Sequence, residues 1–294
     1  MSDNEDKQPA AGDKVYGVKD DDLANWPLVY RDGLFGGKTV LVSGAGSGLG
    51  KAIAYTFARL GANLVICGRN PEKLETARGW IESFGVGCDV HQLSIRDPEA
   101  VQAMIAAIFE KHGNLDVQVN NAGGQFPQPA IDFSVKGWNA VIDTNLNGTW
   151  YMMQAAARQW RDRGQSGNIV NIVADFWRGN FDLAHTSAAR AGVTYLSKTV
   201  AVEWAPLKIR INCVAPGCVE TEGFNVYPAE AAAAYQKANP MLHAGDAMDI
   251  AEATVYLAAP SGKFITGEVL TVDGGQQMWG DVWSYQKPDW AKVD

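Results

Sequence analysis

The chain has 294 residues, of which 47% are hydrophobic and 20% charged, and its formal net charge is −8. This composition is typical of a soluble globular protein with a substantial core. The negative charge argues against nucleic-acid and anionic-membrane partners, because binding to phosphates requires clustered Lys and Arg. No apolar run approaches the ~20 residues of a membrane span and no signal-peptide pattern opens the chain, so we expect a cytoplasmic protein without membrane contact.

Acidic residues are concentrated at the amino terminus, where residues 1–22 contain seven Asp or Glu against three Lys. We therefore expect residues 1–33 to form an acidic, flexible extension. The four cysteines show neither a Cys-x-x-Cys nor a Cys/His spacing. This pattern predicts reduced structural cysteines and no metal site.

From residue 34 onward, seven short apolar runs alternate with segments of helical periodicity. The absence of polar residues at alternate positions is typical of parallel strands that are buried on both faces. The alternation predicts a single α/β domain over residues 34–277, with a doubly wound (Rossmann-type) parallel sheet of seven strands and helices on both faces. The predicted strands are Thr39–Ser43, Asn63–Cys67, Cys88–Leu93, Leu115–Val119, Asn168–Val173, Ile209–Val214 and Glu268–Val272.

Two segments depart from this alternation. Residues 218–247 form the least regular part of the chain and follow a strand end, which predicts a substrate lid, with a simple surface insertion as the alternative. Residues 278–294 carry three Trp in a polar context. Because exposed Trp is costly, we expect this tail to dock on a neighbouring surface, and we expect a homo-tetramer or homo-dimer.

Residues 43–50 read Ser-Gly-Ala-Gly-Ser-Gly-Leu-Gly and lie between the first strand and a helix predicted over Leu49–Leu60. Glycines allow the backbone to approach a pyrophosphate, and the amino terminus of a helix supplies N–H groups and a positive dipole. The segment therefore predicts a dinucleotide site.

Arg69 follows the second strand, where an acidic residue would accept hydrogen bonds from a ribose 2′-hydroxyl. An Arg offers donors to a 2′-phosphate and a planar face to adenine. This favours NADP(H) over NAD(H). The alternative is that Arg69 only covers the adenine, so that both cofactors bind.

Three further motifs follow in order: Asn120-Asn121-Ala122-Gly123, Asp143-Thr144-Asn145 and Pro216-Gly217-Cys218-Val219-Glu220-Thr221. Together with the glycine-rich segment they resemble the short-chain dehydrogenase/reductase family over about residues 34–275. Residues 120–126, 136–138, 185–192 and 264–267 look most like the 2-enoyl-CoA and 2,4-dienoyl-CoA reductases of that family. Ser94 stands where the family usually has Asp at the adenine site.

These residue types and the resemblance together predict the cofactor contacts, including a hydrogen bond from Thr221 to the nicotinamide carboxamide. The predicted contacts are Gly44, Ser47, Gly48, Leu49, Gly50, Arg69, Ser94, Asn121, Ala122, Gly123, Arg190, Pro216, Gly217, Val219 and Thr221.

The family's catalytic Tyr-x-x-x-Lys pair is replaced in this chain by Thr186 and Arg190, and its serine by Val173. A threonine hydroxyl is far too weak an acid, and arginine does not give up its proton. Asn145 matches the family's helix asparagine. Arg190 keeps the positive charge, which suits conjugate reduction of an enoyl thioester, where charge develops on the thioester oxygen.

Asp175 is the ungapped equivalent of the tyrosine that the dienoyl-CoA reductases place after their fifth strand. It can serve as an acid if Phe176 and Trp177 desolvate it; a salt bridge to Arg178 or a loop cap is the alternative. His185 is a second candidate donor, and water is a third source of the proton. The predicted catalytic residues are Asn145, Asp175, Thr186 and Arg190, with Asp175 and Thr186 facing the substrate.

The sequence thus predicts an NADP(H)-dependent oxidoreductase with atypical proton chemistry. Its expected substrate is small, hydrophobic and α,β-unsaturated, with or without a link to CoA. Lys237, the only Lys or Arg in residues 218–247, is the one cation of that segment for the phosphates of a CoA tail. The first alternative is an alcohol dehydrogenase or ketoreductase for a bulky terpenoid- or steroid-like substrate. The second is a nucleotide-binding protein without turnover.

Overall fold

The computed structural model describes residues 16–226, 234 and 237–279. Its seven strands form one parallel sheet in the order β3-β2-β1-β4-β5-β6-β7, which confirms the predicted doubly wound fold. The strands are β1 Thr39–Ser43, β2 Asn63–Gly68, β3 Cys88–Gln92, β4 Val117–Asn120, β5 Gly167–Ile172, β6 Ile209–Pro216 and β7 Val269–Val272. Predicted and observed strand ends differ by at most two residues.

Helices connect the strands and cover both faces of the sheet. They are α1 Asp20–Asn25, α2 Gly48–Arg59, α3 Pro71–Ser83, α4 Pro98–His112, α5 Val135–Ile142, α6 Thr149–Arg163, α7 Ala184–Trp204 and α8 Ala247–Ala258. A π-helical turn, Asp143–Gly148, joins α5 to α6. No helix among the described residues is both long and apolar enough to span a bilayer.

The core has two layers, one on each side of the sheet. Alternate residues of β1 point to opposite layers: Val40 and Val42 pack with α2, α3 and α8, whereas Leu41 packs with α4 and α6. All five residues of β1 are buried, as expected for a central parallel strand. This explains why the predicted strands carry apolar residues at consecutive positions.

The strand order reverses between β1 and β4, which are neighbours in the sheet. In open α/β sheets a crevice forms at such a point, outside the carboxyl ends of the strands. The glycine-rich segment follows β1 and residues 120–123 end β4, so the topology brings both to this crevice.

The amino-terminal extension differs from the prediction of flexibility over residues 1–33. Leu23 of α1 is buried in the core layer that contains α2. Arg59 donates hydrogen bonds to the carbonyl groups of Leu23 and Trp26, at 3.1 and 2.6 Å. These contacts hold the described part of the extension against α2, because burial of Leu23 offsets the cost of ordering it. Residues 1–15 lie outside the described residues.

The predicted lid and tail are described only in part. Val219 pairs with Gly245 in a parallel bridge, so the two ends of the 218–247 segment lie together. A 3₁₀ turn, Glu222–Val226, follows Thr221. Residues 227–233 and 235–236 of this segment, and the tail beyond residue 279, lie outside the described residues.

Candidate active site

The glycine-rich segment forms a tight turn between β1 and α2. Gly44 and Gly48 adopt positive φ angles of 70° and 53°, which glycine reaches without the steric cost of a Cβ. A Cβ on Gly50 would collide with the carbonyl oxygen of Gly44 and with the side-chain amide of Asn121. Both the turn and the packing beneath it therefore require glycine.

Asn121 fixes this turn to the end of β4. Its side-chain nitrogen donates to the carbonyl groups of Ser43 and Gly44, at 3.1 and 3.3 Å. The Ser43 hydroxyl accepts hydrogen bonds from the backbone N–H groups of Asn121 and Ala122, at 3.1 and 3.0 Å. Asn121 and Ala122 thus shape the nucleotide turn through contacts with the protein itself.

At the amino terminus of α2, the backbone N–H of Gly48 donates to the Glu222 carboxylate at 2.8 Å. The other Glu222 oxygen pairs with Lys51 at 3.3 Å, and Lys51 also pairs with Asp20 at 3.2 Å. Ser47 precedes the helix, and its side chain makes no capping hydrogen bond. The sequence analysis did not single out Glu222. Its position directly after Thr221, a predicted cofactor contact, was the signal that could have identified it.

The far side of the turn faces the start of α3. Arg69 is exposed at the end of β2, and no ion pair of its guanidinium occurs among the described residues. Lys73, which sequence reasoning also missed, lies with its Cβ 3.0 Å from the position of a Cβ on Gly46. The Ser94 oxygen accepts from the Arg96 N–H at 3.3 Å, in a local turn after β3.

These features fit a dinucleotide. The glycine turn leaves room for a pyrophosphate where a side chain would intrude, and the amino terminus of α2 offers N–H donors to an anion. Arg69 and Lys73 add two cations on the adenosine side. Within the described ranges, no group of three or more His, Cys, Asp or Glu is arranged to hold a metal ion.

Arg190, near the start of α7, is buried below the end of β4. Its guanidinium donates to the carbonyl of Ile172 at 2.8 Å, and a Cβ on Gly123 would collide with it. Burial lowers the pKa of Arg190 to about 10, so the side chain still carries its charge at neutral pH. The side chain therefore places a fixed cation directly beneath Gly123.

Asn145 lies in the π-helical turn and is also close to Gly123. Its side-chain oxygen accepts from the N–H of Gly124 at 3.0 Å, and its nitrogen donates to the carbonyl of Gly124 at 2.8 Å. Irregular turns of this kind often occur at functional sites. Asn145 thus holds the Gly123–Gly124 backbone over Arg190, a contact that sequence spacing alone does not reveal.

Asp175 follows β5, and its backbone N–H donates to the carbonyl of Pro216 at 2.8 Å. Burial is the main cause that raises the pKa of the Asp175 carboxyl, and the negative charge of Asp273 raises it further. The N–H of Trp177 and the positive charge of Arg178 lower it, but by less. The Asp273 carboxylate accepts from the N–H groups of Gly275 and Gln277, at 2.8 and 2.7 Å. Asp175 forms no ion pair with Arg178 among the described residues.

Thr186, which the sequence predicts to face the substrate, lies near the start of α7. Its hydroxyl is buried and lacks a hydrogen-bond partner among the described residues. The adjacent His185 is fully buried, with the rings of Phe126 and Phe133 centred 4.8 and 4.4 Å from its own. These rings belong to the segment before α5, which covers this part of α7.

The segment that ends β6 closes the site. The N–H of Gly217 donates to the carbonyl of Val272 at 2.9 Å, which places Pro216 and Gly217 beside the end of β7. The Thr221 hydroxyl oxygen accepts from the N–H of Gly223 at 3.2 Å. Val219 is buried and joins the core layer around α2.

The structure therefore brings the predicted residues together in two groups. One group surrounds the glycine turn, and the other lies where β4, β5 and β6 end. Arg190, Asn145 and Gly123 are in mutual proximity, and Asp175 adjoins Pro216. Thr186 lies one helical turn from Arg190 and next to His185, against which the rings of Phe126 and Phe133 pack.

Comparisons with known proteins agree with this architecture. The profile of a family described as Enoyl-(Acyl carrier protein) reductase matches residues 44–277. The chain is 38% identical over 246 residues to a probable 2,4-dienoyl-CoA reductase [(2E)-enoyl-CoA-producing] of Bacillus subtilis, covering 82% of this chain and 97% of that protein. It is 36% identical over 251 residues to 3beta-hydroxysteroid dehydrogenase 1 of Eggerthella lenta, covering 83% and 95%.

Among solved structures, a citronellol catabolism dehydrogenase from Pseudomonas aeruginosa PAO1 superimposes with a TM-score of 0.76. The two chains share 35% sequence identity, and the match covers 85% of this chain and 98% of the other. Each of these three matches covers more than four fifths of the chain. The chain belongs to the short-chain dehydrogenase/reductase family of oxidoreductases.

Proposed function

We propose that this oxidoreductase uses NADPH to reduce the carbon–carbon double bond of a hydrophobic α,β-unsaturated acyl thioester. The observation that carries the proposal is the buried, charged Arg190 beneath Gly123. Conjugate reduction develops negative charge on the thioester oxygen, and a fixed cation in a poorly solvated site stabilises such charge strongly. The Bacillus subtilis relative, named as a dienoyl-CoA reductase, supports this reaction type.

The nicotinamide cofactor, when bound, supplies the hydride. The charge of Arg190 makes the electrostatic potential positive on the nicotinamide side. Asn145 keeps the Gly123–Gly124 backbone in place above the Arg190 side chain. Pro216, Gly217 and Thr221 border the same edge, where the Thr221 hydroxyl is free to donate its proton to a carboxamide oxygen. Positioning of this kind contributes to catalysis by fixing the reacting groups before the reaction.

Asp175 is our candidate for the acid. Its raised pKa means that the carboxyl retains a proton at higher pH than an ordinary Asp does, chiefly because it is buried. Asp273 contributes because two backbone N–H groups hold its own carboxylate in place nearby. A protonated Asp175 can deliver its proton to the substrate carbon that becomes electron-rich, directly or through water.

The preference for NADPH rests on the exposed Arg69 and on Lys73 beside Gly46. Two cations near the adenosine ribose favour the cofactor that carries a 2′-phosphate. The Ser94 hydroxyl, already used in a local turn, leaves the adenine contact weaker than an Asp would make it.

A second candidate function has specific support. The Eggerthella lenta and Pseudomonas aeruginosa proteins are named as dehydrogenases of a steroid and in citronellol catabolism. Residues 218–247 contain a single Lys and no Arg for the phosphates of a CoA tail. An alcohol dehydrogenase or ketoreductase for a bulky apolar substrate would need Asp175 or His185 as its proton donor.

We also propose that the chain forms a homo-dimer or homo-tetramer. Tyr195 and Val202 of α7 and Phe264 before β7 are exposed apolar side chains, and such patches commonly mark interfaces between subunits. Light scattering coupled to size exclusion distinguishes these states from a monomer.

The function is tested by cofactor oxidation with a panel of substrates. Purified protein is mixed with NADPH and either crotonyl-CoA, a longer 2-enoyl-CoA, a 2,4-dienoyl-CoA, or ketones of similar size. The proposal predicts turnover with the unsaturated thioesters. Activity confined to ketones, or to alcohols with the oxidised cofactor, would instead support the second candidate.

A further inference from the structure

The hydrogen bond to Nδ1 of His185 assigns the ring proton to the other nitrogen. Its Nδ1 accepts a hydrogen bond from the backbone N–H of Thr186 at 2.7 Å. A neutral imidazole that accepts at Nδ1 carries its hydrogen on Nε2. Burial lowers the pKa of His185 by more than the carbonyl groups of Phe126 and Leu183 raise it. The neutral form therefore prevails at pH 7. Nε2–H is therefore a donor.

Hydrogen-bond geometry gives this donor no acceptor among the described residues, although the carbonyl groups of Phe126 and Leu183 lie close enough to the ring to raise its pKa against the effect of burial. Nε2 of His185 is buried without a hydrogen-bond partner among the described residues, and the hydroxyl groups of Thr186 and Ser187 share this condition. A buried polar group without a partner costs free energy, which a ligand that supplies the partner would recover. Nε2–H of His185 is such a group, and it lies at the start of the helix that carries Arg190.

Access to this cluster is blocked by residues 125–134, which we call the flap. Phe126 and Phe133 of the flap pack against the His185 ring. Both ends of the flap are anchored: Asn145 holds Gly124, and the Ser134 hydroxyl accepts from the N–H of Gly137 at 3.0 Å, where it caps α5. The flap is therefore a loop that is held at both ends.

Between those ends the flap is joined to the loop after β5. The N–H of Gln128 donates to the carbonyl of Asp182 at 2.9 Å. Asp182 has a φ of 60°, which is unfavourable for a residue with a side chain. Ile131 of the flap and Phe181 of the loop are 93% and 98% exposed, so apolar side chains border the line along which the two segments would separate.

We propose that the flap opens to admit the acyl group of the substrate, and that His185 Nε2–H then donates a hydrogen bond to the substrate's carbonyl oxygen. This inference rests on the proposed function and adds to it a neutral donor that fixes the orientation of the carbonyl. Because the oxygen becomes more negative during the reaction, the hydrogen bond strengthens in the transition state and acts mainly on kcat.

The test compares His185→Phe with His185→Gln. Phe keeps a planar ring against Phe126 and Phe133 but has no donor, whereas the Gln side-chain N–H can reach the position of Nε2. We expect His185→Phe to lower kcat/KM for a 2-enoyl-CoA about 10- to 100-fold, mostly in kcat, and His185→Gln to recover most of that loss. The Kd for NADPH should stay within about twofold of the parent in both variants, because neither touches the cofactor turn.

The proposal is overturned if His185→Phe retains the parent's kcat/KM, or if His185→Gln loses as much activity as His185→Phe. A measurement on the parent needs no variant: in protein with ¹⁵N-labelled histidine, a saturated acyl-CoA should shift the Nε2–H resonance of His185. An unmoved resonance with that probe bound would equally refute the contact. Absence of turnover by the parent itself would refute the proposed function, which is a separate outcome.

Discussion

The Glu222 carboxylate accepts a hydrogen bond from the backbone N–H of Gly48 across 2.8 Å, joining residues that are 174 positions apart in the chain. Gly48 is the first residue of α2, so this N–H is one of the donors that the helix amino terminus offers to an anion. Lys51 holds the second oxygen of the same carboxylate. The Glu222 carboxylate therefore occupies the Gly48 N–H, a donor that a dinucleotide pyrophosphate would use.

Replacing Glu222 by Gln removes this competing charge. We expect the Kd for NADPH to fall about tenfold, because the cofactor no longer has to displace a charged acceptor. Isothermal titration calorimetry measures the change. Asp20→Asn is the matched control, since it removes the same charge from Lys51 without touching Gly48 and should alter Kd by less than about twofold. Weaker binding in Glu222→Gln would show that the carboxylate supports the cofactor site instead.

Arg69→Glu tests the assignment of the 2′-phosphate. The variant puts a negative charge where the phosphate would lie, so the Kd for NADPH should rise about 100-fold while that for NADH changes only a few-fold. Titration of cofactor fluorescence gives both constants. Arg78→Glu makes the same charge change at an exposed position of α3 and serves as the control. Equal losses for the two cofactors would contradict the NADPH preference.

Gly50→Ala should damage the nucleotide turn. The added Cβ meets the Gly44 carbonyl oxygen and the Asn121 amide, so we expect a loss of about 1–3 kcal/mol of stability and a weaker Kd for NADPH. Gly79→Ala is the opposite case, because Gly79 is exposed within α3 and an added Cβ would meet no atom within 4 Å. That substitution should stabilise the protein by about 0.5–1 kcal/mol. Urea denaturation compares the two, and a tolerated Gly50→Ala would argue against the packed turn.

Asp175→Asn tests the acid. The protonated carboxyl is the active form, so the parent's kcat should fall as pH rises through the raised pKa of Asp175, while the variant should lack this pH dependence. We expect the variant to be about 100-fold slower at the low-pH end, the usual contribution of a general acid. Stopped-flow oxidation of NADPH over a pH series measures both. Unchanged rates would remove Asp175 from the mechanism.

Asp175→Asn should also change the stability of the fold, in a direction set by the raised pKa of Asp175. A carboxyl whose pKa is raised on folding binds its proton more tightly in the folded state, so ionising it costs folding free energy at pH values above that pKa. Below the ordinary value of 3.8 both states are protonated and the cost vanishes. Asp175→Asn should therefore gain in melting temperature relative to the parent as pH rises. A difference that is constant with pH would contradict the shift.

Most of the sheet could be predicted from the sequence because buried parallel strands leave a strong local pattern. All five residues of β1 are buried, and the sequence there is correspondingly apolar. The amino-terminal extension departs from the composition-based expectation for a physical reason. Among its many Asp residues, Tyr16 and Leu23 are buried, and Arg59 of α2 donates to the carbonyl group of Leu23. Composition reports the average of a segment and does not reveal such an anchor.

The candidate site was predictable where its residues follow strand ends and not where they meet through distant contacts. The glycine turn, Arg69 and Asp175 all come directly after strands. By contrast, the side chain of Asn145 forms its hydrogen bonds with Gly124, and His185 is covered by Phe126 and Phe133. Both depend on how the flap folds back over α7, and the flap has no periodic pattern that predicts its path.

The most direct test of the central claim is the fate of the hydride. Crotonyl-CoA is incubated with the protein and NADPH deuterated at the transferable position, and the product is identified by mass spectrometry and NMR. Conjugate reduction predicts saturated butyryl-CoA with one deuterium on its β-carbon and the thioester intact. Deuterium on the carbonyl carbon would contradict the account. Recovery of unreacted crotonyl-CoA from a protein that efficiently reduces a terpenoid or steroid ketone would contradict it as well.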